Sequence, residues 1–334
     1  MKVAPLIRAI DNCKTCDYSL VYAGREDDPT LEASLYSDLQ MPRPDEFLNV
    51  DCENLNELTG LVMARFEHYL DGHPADTVVV VDDLASTMAA AIVAKKRGIR
   101  LAHLVAGTRS FDINMPKEVN RLVIDGLSDM LFTAGMGSTS IAAREGAESH
   151  RIFMVGNILT DQLRFCCNRW RQPECAPEGD YLVLTLNRRA LMEDSDNLTR
   201  MLDAVVEGSG GMPVIAPLRG QAADAVTRHG GLQVVDPLPY LEFGWLTSHA
   251  RGIITDSGNV AEEATFNRVP CITLNSYTEH IETVRMGTNV LAGEDAGRLR
   301  QLMAELTAGR WKPSALPDRW DGRTAERIVM MLTK

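Results

Sequence analysis

The sequence has no apolar run near the ~20 residues that a membrane-spanning helix needs; the valine run Val78–Val81 is far too short. It has no long basic run to offset a net charge of −12. Duplex nucleic acid and anionic membranes are therefore excluded as expected partners, although a locally basic pocket can still hold a phosphate. The opening stretch MKVAPLIRAID carries Arg8 and Asp11 where a signal peptide would have its apolar core, so the expectation is a cytoplasmic protein. Regular cysteine spacing is absent too. The seven cysteines are odd in number and irregularly placed, as expected of reduced thiols. Cys13 and Cys16 form a CxxC, but no second pair or histidine follows at zinc-finger spacing, and chance within a helical register accounts for it. No metal-ligand spacing, internal repeat or low-complexity segment stands out.

What is present is alternation. Short β-branched runs occur at 77–81, 100–106, 130–134 and 151–155, and again at 181–186, 213–218, 232–236, 252–256, 270–274 and 288–292. Most are bounded by Gly, Pro or Asp, which favours strand over helix. Helical patterns fill the intervals at 55–70, 84–97, 138–147, 192–207, 294–307 and 322–333. In the first of these, Leu55, Leu58, Val62, Phe66 and Tyr69 recur at three- and four-residue steps. Such alternation predicts an α/β fold with parallel sheets covered on both faces. The 334 residues suit two domains. They are expected at 1–157 and 158–317, with a hinge over 157–178 and a closing helix, 318–334, returning to the first. Ligands of doubly wound sheets sit at the carboxyl ends of the strands, and the expected site is the cleft between the two domains. The relevant loops are Asp82-Asp83, 106–110, 187–189, 217–219 and 255–259.

The stretch TDSGNVAEEA, 255–264, ends one apolar run and opens a helix. Asp256 and Ser257 can cap that helix. Ser257-Gly258 puts little bulk over its first turn, where free N–H groups and the dipole favour a phosphate. Glu263, about two turns in, can accept hydrogen bonds from vicinal hydroxyls. A capped helix with solvated glutamates is the competing reading, and spacing alone does not decide between them.

The wider context resembles one family, the non-hydrolysing UDP-N-acetylglucosamine 2-epimerases. TDSGNVAEEATFNRVPCITL, followed by the Thr278-Glu279 turn and GTNVL, is similar to that family's TDSGGIQEEA, proline-led strand, T-E-R-P turn and GT strand. HLVAGTRS (103–110) resembles HVEAGLRS, MPKEVNR (115–121) resembles PEExNR, and RIFMVGNILTD (151–161) resembles RIFITGNTVID. LEFGWL (241–246) resembles the aromatic wall of the base site, and WDGRTAERI (320–328) resembles the closing YGDGxAxxRI. The resemblance implies a GT-B-like fold of two Rossmann-like domains, with the nucleotide mostly on the second. It implies Ser257 and Gly258 at the diphosphate, Glu263 at the ribose, Phe243 near the uracil and Arg188 in a loop facing the sugar diphosphate. It also implies a homodimer, a UDP-sugar (UDP-N-acetylglucosamine) as small-molecule partner, and a supply role in cell-envelope polysaccharide. No redox cofactor or metal is implied.

Position by position the match is uneven. The family reaction removes the C2 proton and expels UDP, which then re-adds with C2 inverted; one aspartate, two glutamates and a histidine serve it. The aspartate is retained as Asp83. One glutamate becomes Val105, and the other becomes Lys117 with its neighbour Glu118 kept. The histidine becomes Asn187, the turn arginine becomes His280, and a glycine becomes Asn259. Each general acid or base is worth roughly 10²–10⁴-fold, so these losses should largely abolish the standard epimerisation unless Glu118 or Asp82 substitutes. Asp82 and Asp83 are expected to point to opposite faces. Lys117 has two readings, a phosphate ligand or a solvated cation. MKVAPLIRAI matches the part of the family pattern that follows the first strand, and of the nucleotide-binding GTRPEAIK turn only Lys2 remains. That leaves an expected unpaired sheet edge, explained either by a start lying upstream or by a rearranged edge or partner. Three functions stay open: an epimerase on UDP-N-acetylglucosamine, a UDP-sugar-binding pseudo-epimerase, and a diverged hydrolase or glycosyltransferase.

Overall fold

A computed structural model describes residues 1–28, 31 and 33–334. Among the described residues there are twelve strands: β1 Val21–Tyr22, β2 Glu46–Phe47, β3 Thr77–Val81, β4 Arg100–Ala106, β5 Met130–Thr133, β6 Ile152–Met154, β7 Leu182–Thr185, β8 Val214–Pro217, β9 Gln233–Val235, β10 Gly252–Thr255, β11 Cys271–Thr273 and β12 Asn289–Leu291. All ten strands read from β-branched runs are present; β3 and β4 have the expected bounds and the other eight are trimmed at one or both ends. The two-residue pair β1–β2 carries no run long enough to read. Every pairing among the described residues is parallel, as the strand–helix alternation requires.

The chain forms two compact units. The first holds residues 1–162 and 318–334, and the second holds 163–317. The chain leaves the first unit inside a helix, Ile158–Cys166, so the expected hinge over 157–178 is helical at its start and irregular over 171–180. In the first unit a four-stranded sheet runs β3-β4-β5-β6, and β1-β2 stand apart as their own pair. Among the described residues nothing pairs with the outer edge of β3. The helix Val3–Cys13 opens the chain and buries Leu6, Ile7 and Ile10. Leu6 and Ile10 share a core with Leu104, Phe132, Val155 and Ile158, and with Ala325, Ile328 and Val329 of the last helix, Thr324–Leu332. The second unit has one six-stranded sheet, β12-β11-β10-β7-β8-β9. Its larger core packs the helices Ser195–Gly208 and Ala296–Thr307 on one face through Leu198, Met201, Leu202, Leu299, Leu302 and Met303.

Three interactions fix the returning C-terminal segment. Asp161 accepts hydrogen bonds from the amides of Thr324 (3.1 Å) and Ala325 (2.8 Å), so a carboxylate caps the last helix where its dipole is positive. Buried Trp320 donates its indole N–H to the Ala134 carbonyl at 3.0 Å. Gly156 sits at φ +103°, and a Cβ there would lie 2.1 Å from the Arg319 carbonyl oxygen. Both the dihedral and the contact require glycine. Gly156→Ala is therefore expected to cost at least ~3 kcal/mol, a size reserved for backbone strain combined with overpacking. Chemical denaturation of the two proteins checks this, and a midpoint unchanged by the substitution overturns it.

Candidate active site

In the first unit the strand-end residues converge on the helix Pro116–Leu127. Asp83, just past β3, places its Oδ2 2.8 Å from Arg121 Nε and 2.6 Å from Arg121 Nη2, and its Oδ1 3.5 Å from Lys117 Nζ. Asn120 donates to the Asp83 carbonyl at 2.8 Å. Lys117 is thus half of an ion pair with the retained aspartate, which neither sequence reading anticipated. Asp82 faces elsewhere, with its Oδ1 2.6 Å from Lys2 Nζ. Both aspartates lie beyond the strand, so the divergence expected from strand pleating has another cause: Asp82 is left-handed, at φ +61°.

Glu118 is fully engaged. Its Oε2 accepts from the Ser110 amide and hydroxyl (2.9 Å each) and from Arg121 Nη1 (3.1 Å), and its Oε1 accepts from the Phe111 amide (3.0 Å). Burial works against its charge, but the Ser110 and Phe111 donors and Arg121 hold its carboxyl below the usual range. A carboxylate so occupied organises the 107–115 loop and has little freedom to move a proton. Behind it lies a second buried group. Asp125 meets His103 Nδ1 at 2.6 Å, Arg109 Nη1 at 2.8 Å and the Gly107 amide at 3.0 Å. His103 Nε2 faces the Asp82 carbonyl at 3.0 Å, so this histidine is a packed core group. Val105 occupies φ +75° at a register shift in the β4–β5 ladder. That dihedral is a true outlier for a β-branched side chain.

In the second unit Ser257 is the N-cap residue of the helix Gly258–Asn267, yet it makes no side-chain cap bond. Asp256 does not cap that helix either. Its Oδ2 accepts the amides of Asn187 (2.7 Å) and Arg188 (2.6 Å), tying the β7 loop to the end of β10. The capping expected of both residues is therefore replaced: the carboxylate is spent across the sheet and the serine hydroxyl is left for other partners. Burial outweighs those two amides and raises the Asp256 pKa. Arg188 Nη1 lies 2.6 Å from Glu294 Oε1 and 3.2 Å from Asn275 Oδ1. A Cβ on Gly258 would meet no heavy atom within 4 Å. Its φ is not left-handed either, so neither packing nor dihedral explains glycine there.

Glu263 is buried within that helix, and its Oε2 has no hydrogen-bond partner. Glu262 beside it lies 3.4 Å from Nε2 of buried His280. Phe243 packs in the apolar cluster that contains Val260, Ala261 and Ala264 of the same helix. Ser257, Gly258, Glu263 and Phe243 are thus gathered on or against one helix, with Arg188 anchored to its start through Asp256. Sequence reasoning missed Arg121, Asn120, Asn275, Glu294 and the bridging role of Asp256. The first two stand inside MPKEVNR, with Arg121 one helical turn beyond Glu118, so spacing could have found them.

The family model for UDP-N-acetylglucosamine 2-epimerase matches residues 8–333. The chain is similar to the UDP-N-acetylglucosamine 2-epimerase of Methanocaldococcus jannaschii, at 30% identity over 100% of this chain and 95% of that one. It is similar to the UDP-2,3-diacetamido-2,3-dideoxy-D-glucuronate 2-epimerase of Pseudomonas aeruginosa, at 32% identity over 88% and 85%. The solved M. jannaschii epimerase, in complex with UDP-GlcNAc and UDP, superposes with a TM-score of 0.87 over 99% of this chain and 96% of that one. The Neisseria meningitidis epimerase, at 21% identity and a TM-score of 0.89 over 99% and 95%, shares the fold. The sheets and these superpositions agree with the α/β, GT-B-like class expected from sequence.

The unpartnered carboxyl has a measurable consequence. Burial, reinforced by the charge of Glu262, pushes the Glu263 pKa up to about 8. Its unfolded value is ~4.3. Between these the folded chain holds a proton that the unfolded chain has released, so stability falls as pH rises through this window and levels off above it. Denaturation of the wild type and Glu263→Gln across the window checks this: the wild type should lose stability relative to the variant as pH rises. A difference that stays constant with pH overturns the assignment.

Proposed function

The chain belongs to the UDP-N-acetylglucosamine 2-epimerase family, and from that premise we propose that it binds a UDP-sugar of the UDP-N-acetylglucosamine type and interconverts it with its C2 epimer by eliminating and re-adding UDP. The observation that carries this is Glu263, a buried carboxyl with an unpartnered oxygen in a helix whose first turn is uncovered at Gly258. A buried acceptor is costly to leave unpaired, and vicinal ribose hydroxyls would satisfy it. The free amides at the helix start and the Ser257 hydroxyl suit a diphosphate. Phe243 supplies an aromatic face for the base, and Lys2, Arg188 and His280 supply positive or donor groups for the rest of the ligand. The binding of UDP-GlcNAc and UDP by the M. jannaschii relative supports this reading.

On this proposal Asp83 is the retained reacting group and Glu118 orders the loop beside it. The reaction needs no cofactor. We place the protein in the cytoplasm as a homodimer that supplies sugar nucleotides for cell-envelope polysaccharide. A second reading, binding without turnover, is favoured by Val105 and Asn187, which cannot exchange protons near neutral pH, and by the two cations that face Asp83.

Incubation with UDP-N-acetylglucosamine, followed by NMR of the sugar, decides between them. The epimerase reading expects UDP-N-acetylmannosamine, and expects Asp83→Asn to abolish its formation while binding persists. Glu263→Ala should weaken UDP-sugar binding ~10-fold by calorimetry, the worth of two neutral hydrogen bonds to vicinal hydroxyls at roughly 0.5–1.5 kcal/mol each. Binding without product leaves only the second reading, and absence of binding sinks both.

A further inference from the structure

Arg188 is fixed at both ends by one closed ring of bonds. Its amide donates to Asp256 Oδ2 at 2.6 Å, and its Nη1 donates to Asn275 Oδ1 at 3.2 Å. Asn275 closes the ring, because its Nδ2 donates to the Asp256 carbonyl at 3.0 Å. A fourth residue, Glu294, sets its Oε1 2.6 Å from the same Nη1. Arg188, Asp256, Asn275 and Glu294 follow β7, β10, β11 and β12, which are neighbours in the six-stranded sheet. Glu294 is itself held. Its carbonyl accepts from Asn197 Nδ2 at 3.1 Å, and the next residue, Asp295, caps the helix Ala296–Thr307 through the Arg298 amide at 3.0 Å.

Stability does not explain this set of contacts. The Arg188 and Glu294 side chains are 37% and 35% exposed, and an ion pair so placed adds little to the fold. What the contacts supply is direction. A guanidinium is a planar fork of five N–H donors. Asn275 and Glu294 both meet it at Nη1. Among the described residues no acceptor is hydrogen-bonded to Nε or Nη2, and these two nitrogens form one edge of the fork. Such an edge matches two oxygens of one phosphate. Asp256, which closes the ring, is followed directly by Ser257 and Gly258.

We propose that Asn275 and Glu294 are positioning residues that hold the Nε–Nη2 edge of Arg188 ready for a phosphate of the bound nucleoside diphosphate. The inference rests on the UDP-sugar reading and deepens it by giving work to two residues that need not touch the ligand. A carboxylate near a phosphate site repels the anion unless a cation occupies it. Here Glu294 is occupied by Nη1, which is not part of the free edge, so its charge is neutralised without consuming the donors. Ordering a long side chain before the ligand arrives removes part of the cost of binding. For one arginine that is worth ~3–10-fold in affinity.

Calorimetric titration of the full chain with UDP tests this without reference to turnover. Glu294→Gln and Asn275→Ala should each weaken UDP binding ~3–10-fold. Arg188→Ala should weaken it ~10–100-fold, as expected for a lost two-point contact to a phosphate. In the Arg188→Ala background Glu294→Gln should cause no further loss, because both act through one side chain. A general structural role for Glu294 would persist without Arg188. Should Asn275→Ala lower the thermal transition by loosening Asp256, Glu294→Gln carries the test. Tighter binding by Glu294→Gln would make the carboxylate a competitor of the ligand and overturns the proposal. So does an unchanged affinity, or a loss that survives in the Arg188→Ala background. Those outcomes leave the UDP-sugar reading standing, whereas a wild type that binds no UDP removes both.

Discussion

Arg121 is almost wholly buried and pairs with both Asp83 and Glu118. An ion so placed is tolerable only when its partners are held in good geometry, since one unpaired buried charge costs several kcal/mol. This requirement organises the strand ends of the first unit. Three left-handed, non-glycine residues lie there, Asp82, Val105 and Phe111, and each such residue costs ~1–3 kcal/mol. Each is held by a named hydrogen bond. His103 meets the Asp82 carbonyl, Thr108 Oγ1 donates to the Val105 carbonyl at 3.3 Å, and the Phe111 amide donates to Glu118. Two of those bonds involve His103 and Glu118, both members of the buried polar network, so backbone strain and buried polar contacts share the same local geometry.

The second unit uses the same device with less charge. Asp256 at the end of β10 accepts two amides from the loop after β7, and Asn275 after β11 donates to the Asp256 carbonyl at 3.0 Å. One acidic residue thereby sets three neighbouring strand ends. Because Asp256 is engaged in this way it does not cap the helix that follows, and the Ser257 side chain makes no cap bond there either. Glu263 shows the opposite economy. It is buried without the bonds that would stabilise its charge, so it stays protonated at neutral pH and available to hydroxyl donors.

The legible parts of the fold were those written in local periodicity. Ten strands stood out because each places several β-branched residues between Gly, Pro or Asp. β1 and β2 did not, because their two residues each are set by packing of Val21 and Ala23 against Leu48, Val50 and Phe66. The helix Pro116–Leu127 hid its role by reversing the usual pattern, since its charged residues are the buried ones. At the site, motif order pointed to Ser257, Gly258, Glu263 and Asp83. The work of Asp256 was not legible, because a capping residue and a cross-sheet clamp look identical in sequence. The ion pair of Lys117 with Asp83 was illegible for a related reason: it depends on where a helix start sits relative to a strand end 34 positions earlier in the chain.

Val105 bears on how the site can diverge. A valine gains nothing from φ +75°, and its side chain cannot act on a proton. The conformation nevertheless persists, because it belongs to the register shift between β4 and β5 and to the loop that Asp125 and Glu118 anchor. Backbone geometry at this strand end is therefore imposed by its surroundings and not by the residue that occupies it. The side chain at position 105 packs against the core that contains Leu104 and Phe132, but it makes none of the hydrogen bonds that hold this backbone. Asn187 is similar: its amide, not its side chain, makes the bond to Asp256. The chemistry at both positions can be exchanged while the scaffold stands, so replacement of proton-transfer groups and retention of the UDP-site residues are physically compatible in one fold.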